Sequence, residues 1–111
     1  MPTHAEERAH DRTTCNFVVP FVVTQSEGSC ELSVSEGMGH ALNQSKGGLL
    51  LLLPETVQER QIVEIQTPDE PSRKQVTKLV EVCWTRPLKL TAQKTFCLAG
   101  SRFVFEVPTP Q

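Results

Sequence analysis

The chain has 111 residues, with 11 Lys plus Arg against 13 Asp plus Glu and a formal net charge of −2. That is enough for one compact domain and too little for two ordinary ones, and the balance gives no basic field for a bulk nucleic-acid binder. The longest apolar run, residues 49–53, is far shorter than the roughly 18 to 20 residues that cross a bilayer as a helix.

The first ten residues are polar and acidic with no apolar signal core, so a cytoplasmic protein without membrane insertion is expected. Cys15, Cys30, Cys83 and Cys97 include no C-x-x-C pair. That spacing argues against a zinc ribbon or a dithiol redox motif, and reduced, buried thiols are expected instead. No metal or cofactor is expected.

Residues 15–23 place Cys15, Phe17, Val19, Phe21 and Val23 at every second position, the period of a half-buried strand. Pro20 within that run marks an edge or a bulge. A polar turn around Gly28 leads to Leu32 and Val34 on a second strand, so a hairpin is expected. Residues 35–48 hold Gly37, Gly39, Gly47 and Gly48 and read as the most loop-like interior stretch. The leucine run after them, bounded by Gly47-Gly48 and Pro54, is too short for a stable helix and reads as a buried strand. Both faces of it are apolar, so a bound segment or a partner chain is expected to cover one.

Residues 62–66 form a fourth strand, and a Pro- and Asp-containing loop comes next. Residues 76–86 alternate, with Val80, Val82 and Trp84 on one face, so Trp84 is expected in the core, the alternative being that it borders a ligand site with Arg86; Pro87 is expected to limit the strand. The last strand puts Phe103, Phe105 and Val107 on one face. No 3.6-residue period is present. The chain therefore reads as an all-β domain with little or no helix, an antiparallel barrel or a sandwich.

Two polar groups of residues stand apart in sequence. Arg8 and Arg12, four residues apart ahead of the first strand, can converge on one anion, and a guanidinium both forks onto phosphate and stacks on bases. A solvated terminus neutralised by Glu6, Glu7 and Asp11 is the ordinary alternative. Asn43-Gln44-Ser45-Lys46-Gly47-Gly48 offers amide, hydroxyl and glycine-exposed backbone donors, or is simply a turn entering a strand. His4, His10 and His40 are scattered and no nucleophile, base and acid stand together, so an enzyme is not expected.

Arg8-x-x-x-Arg12 followed by Asn43-x-Ser45-x-x-Gly48 resembles the PilZ domain family, whose signature is RxxxR and then [D/N]xSxxG. The resemblance covers nearly the whole chain and extends to Val82-Cys83-Trp84 and Gly100-Ser101-Arg102-Phe103. It implies a six-stranded Greek-key β-barrel at residues 15–107, a leader at 1–14 and a short tail at 108–111. It also implies binding of the bacterial second messenger cyclic di-GMP. Arg8 and Arg12 would clamp phosphate or guanine, while Asn43, Ser45, Gly47 and Gly48 hold the ligand from the barrel. Ordering of the leader over the ligand would then signal to an effector protein. Self-association into a homodimer is a further expectation, because no C-terminal helix covers the barrel. The alternative is a PilZ-like protein–protein interaction module that binds no nucleotide.

Overall fold

The computed structural model describes residues 13–27, 31–68 and 74–108, and every regular element among them is a strand. In chain order these are β1 (Thr13–Glu27), β2 (Glu31–Gln44), β3 (Gly48–Leu53), β4 (Ile62–Pro68), β5 (Gln75–Lys89) and β6 (Thr95–Glu106). All pairings are antiparallel and the sheet closes on itself in the order β1-β2-β3-β6-β5-β4. Two three-stranded meanders, β1–β3 and β4–β6, thus face each other. Because β4 returns beside β1, strands four, one, two and three lie in that spatial order, which is a Greek key. The all-β, six-stranded barrel expected from the sequence is the fold observed.

Period-two alternation builds the interior. Val19, Phe21 and Val23 from β1, Leu49, Leu51 and Leu53 from β3, Val63 and Ile65 from β4, and Val80 and Val82 from β5 meet inside. Ala41, Cys97 and Ala99 fill the narrower places between them. Val57, from the β3–β4 connection, joins the same cluster. That connection is pinned to β5 by Arg60 N–H donating to the Val82 carbonyl at 2.7 Å and Val82 N–H donating to the Gln61 carbonyl at 2.9 Å. Arg60 takes a positive φ of 71° to make the bend, a conformation uncommon outside glycine.

Four expectations are corrected. Residues 35–44 belong to β2 and are not a loop. Gly37 and Gly39 sit there for packing: a Cβ on Gly37 would lie 3.3 Å from the Phe21 ring, and one on Gly39 would lie 2.7 Å from Leu53 Cδ2 and 2.9 Å from the Leu52 carbonyl oxygen. Pro87 does not end β5; it pairs with Cys97 within the strand. Pairing of β5 with β4 stops at Glu81, so Pro87 has a partner strand on one side only, where a missing N–H is tolerated. Phe105 is 54% exposed, because the pairing shifts from Leu79↔Phe105 to Val80↔Phe103 and leaves Val104 as an extra residue. Trp84 also points outward and is 41% exposed.

Gly39→Ala should destabilise the barrel by about 1 to 3 kcal/mol, since the added methyl meets backbone that cannot swing aside. Leu32→Ala, at a side chain 70% exposed, should change stability by no more than about 0.5 kcal/mol. Denaturant midpoints of the two variants, measured side by side, check both.

Candidate functional site

Strand register brings the Asn43–Gly48 turn and Trp84 together. In β2 the pairing steps from Ala41↔Leu51 to Asn43↔Leu50, so Leu42 is an extra residue, a β-bulge. In β5 it steps from Val82↔Ser101 to Trp84↔Gly100, so Cys83 is extra. A bulge breaks the in-out alternation of its strand and re-aims the side chains beyond it. Ala41 and Val82 are buried in the core. Without the extra residues Asn43 and Trp84 would point the same way as these; with them, both face outward.

The two outward residues lie on one cross-barrel row. Thr14 pairs with Asn43, Asn43 with Leu50, Leu50 with Gly100, and Gly100 with Trp84. Asn43 and Trp84 are three strand spacings apart, on the order of 14 Å. Gly100 is what makes this row concave. A Cβ at that position would lie 2.1 Å from Trp84 Nε1 and 2.3 Å from Cε2, so the indole lies across the Gly100 backbone. Asn43, Ser45, Gly48, Leu50, Cys83, Trp84, Gly100 and Ser101 line the resulting open cleft of about 110 Å³.

The turn at its rim is held by three backbone and side-chain bonds. Ser45 N–H donates to the Gly48 carbonyl at 3.0 Å, Gly47 N–H donates to Ser45 Oγ at 3.3 Å, and Phe103 N–H donates to the Gly47 carbonyl at 2.8 Å. Ser45 Oγ thus accepts one bond within the turn and retains its own O–H for another group. On the floor, Ser101 Oγ donates to the Leu49 carbonyl at 2.9 Å. Beyond the turn, Lys78 Nζ stands 4.8 Å from the centroid of the Phe103 ring, a cation–π geometry. Lys46, Lys78, Phe103 and Phe105 line a second, shallower recess there.

The expected site residues divide into three groups. Asn43, Ser45 and Gly48 come together on the cleft. Gly47 is exposed at the turn and is not among the cleft-lining residues. Arg8 and Arg12 lie outside the described residues. The register nonetheless fixes where the leader joins the barrel: Thr13 pairs with Gln44 and Thr14 with Asn43, so the residue bonded to Arg12 is beside the turn.

Sequence reasoning assigned Trp84 to the core and overlooked Leu50, Gly100 and Ser101 as cleft residues. The bulge at Cys83 has no sequence mark, although Gly100 opposite a bulky aromatic is the one local hint. Among the described residues no group of His, Cys, Asp or Glu is arranged to hold a metal ion. Comparison with known protein families, curated proteins and solved structures finds no match.

Adjacent glycines in the turn have separable roles. A Cβ on Gly48 would lie 1.9 Å from the Ser101 carbonyl oxygen, whereas one on Gly47 meets nothing within 4 Å. Gly48→Ala should therefore force β3 away from β6 and lower the melting temperature by several degrees, a loss on the order of 1 to 3 kcal/mol. Gly47→Ala should melt within about 0.5 kcal/mol of the parent. Thermal melts of the two variants check the assignment.

Proposed function

We propose that this chain is a PilZ-like receptor for cyclic di-GMP. One observation carries the reading: the Thr13↔Gln44 and Thr14↔Asn43 pairs join the arginine-bearing leader to the barrel beside the Asn43–Gly48 turn. Thr13, the residue bonded to Arg12, thereby lies beside the turn that carries the second half of the signature, some thirty residues further along the sequence.

The chemistry of the cleft agrees with such a ligand. Cyclic di-GMP presents two phosphates and two guanines. The Asn43 amide and Ser45 hydroxyl offer hydrogen bonds to a guanine edge. The exposed indole of Trp84 offers a stacking surface, and base–aromatic stacking contributes about 1 to 3 kcal/mol per base. Arg8 and Arg12 supply charge for the phosphates and planar forks for guanine O6 and N7. Asn43 accepts one guanine N–H where the alternative Asp of the signature accepts two, which favours moderate affinity. Cyclic di-GMP is an intracellular messenger of bacteria, so this reading puts the chain in a bacterial cytoplasm. The leader, closing over the ligand, is the signal that an effector protein reads. No catalysis is part of the proposal.

Isothermal titration should give micromolar binding of cyclic di-GMP, on the order of −8 kcal/mol, with GTP and cyclic GMP far weaker. Arg12→Ala should cost about 2 to 4 kcal/mol and flatten the salt dependence of what remains. Ser45→Ala should cost about 1 to 2 kcal/mol and leave the salt slope near the parent's. Melting temperatures taken alongside separate binding from turn stability, because Ser45 Oγ also holds Gly47. No heat at several hundred micromolar ligand would turn the assignment toward an interaction module that binds no nucleotide.

A further inference from the structure

The outer face of the β1–β2 hairpin is apolar over much of its length. Val18, Leu32, Val34 and Met38 are 50%, 70%, 63% and 56% exposed, and Pro20 and Val22 lie half-buried between them. Register places Val18 beside His40, Pro20 beside Met38 and Val22 beside Glu36. Val22 is also opposite Glu64 of β4. One outward row therefore reads Glu36, Val22, Glu64, an apolar side chain between two carboxylates about 10 Å apart across two strand spacings.

A groove runs through this row. Pairing of β1 with β4 covers only Phe21↔Ile65, Val22↔Glu64 and Val23↔Val63. It stops next to Pro20, which has no N–H to extend the ladder. The strands leave an open groove of about 380 Å³, with Pro20, Val22 and Met38 as its apolar lining and Glu36, Glu64 and Gln66 as polar lining. Among the described residues, Glu36 and Glu64 have no ion-pair partner. Apolar patches rimmed by polar groups mark protein contacts.

Charge selects among occupants. A second copy docking face to face would set the same carboxylates against each other, and an anionic lipid surface would be repelled. A basic protein segment meets no such opposition. We infer that this groove docks a partner's segment in which an apolar side chain is flanked by Lys or Arg, the apolar group seated on Pro20, Val22 and Met38 and the cations meeting Glu36 and Glu64. The surface lies on the outer side of β1 and β2, away from the Trp84 row, and the inference holds whether or not the cleft binds a nucleotide.

The test uses the whole chain, isotope-labelled, and two synthetic peptides, Arg-Leu-Arg-Met-Arg-Leu-Arg and its Glu-for-Arg counterpart, followed by amide chemical shifts. The basic peptide should shift the amides of residues 18, 19, 21, 22, 36–38 and 63–66, with binding on the order of tenfold weaker at 0.5 M than at 0.05 M salt. The acidic peptide should leave them in place. The double variant Glu36→Lys with Glu64→Lys should reverse the preference; both positions are on the surface, and its melting temperature confirms folding. Equal response to both peptides, no response on this face, or a chain that dimerises through Met38 in sedimentation and excludes the peptide would overturn the inference. Cyclic di-GMP titration of the same double variant should match the parent, so failure of this surface and failure of the cleft are read separately.

Discussion

The candidate site depends on two extra residues, Leu42 in β2 and Cys83 in β5, inserted into the strands that carry it. Each turns the strand beyond it by one position. Strict alternation would bury Asn43 and Trp84 in an interior already filled by Leu49, Leu51, Val80 and Val82, where an amide without a partner costs about 1 to 3 kcal/mol. The bulges move both to the surface, on one row, and leave the core wholly apolar at that level. Gly100, between them, has no side chain to hold the indole off the sheet.

The core was legible in the sequence and the site was legible only in part. Val19, Phe21 and Val23, or Leu49, Leu51 and Leu53, alternate without interruption, and each such run faces inward as the period requires. Trp84 and Phe105 continue the same alternation on paper yet face outward, because a register shift intervenes in the pairing of β5 with β6. A bulge is a property of two strands together. It is set by how each residue packs against its partner, and a single chain read linearly does not display it. The glycines of β2 misled for a related reason: Gly37 and Gly39 look like turn residues, but the demand they answer comes from Phe21, Leu52 and Leu53 on neighbouring strands.

The hairpin of β1 and β2 links the two surfaces described. Its open end carries Thr14 and Asn43 into the cleft row, and its outer face carries Val22 and Glu36 into the acidic groove. Ligand capture by the leader and docking of a basic segment would thus act on the same pair of strands. Pro20 limits the β1–β4 seam at its N-terminal end, and the pairing irregularity between Thr14 and Phe17 interrupts the β1–β2 ladder nearer the cleft. The strand pair is held most firmly along its mutual ladder, which runs nearly the full length of both.

Trp84 is the only tryptophan of the chain, so its emission reports on the cleft alone. Titration with cyclic di-GMP should quench that emission saturably and shield the indole from acrylamide, and Asn43→Ala, folded to the same melting temperature, should weaken the response about tenfold, the worth of roughly one good hydrogen bond. An indole whose emission and acrylamide access stay unchanged at several hundred micromolar ligand, or a response that Asn43→Ala leaves intact, would contradict the assignment of this row as the ligand site.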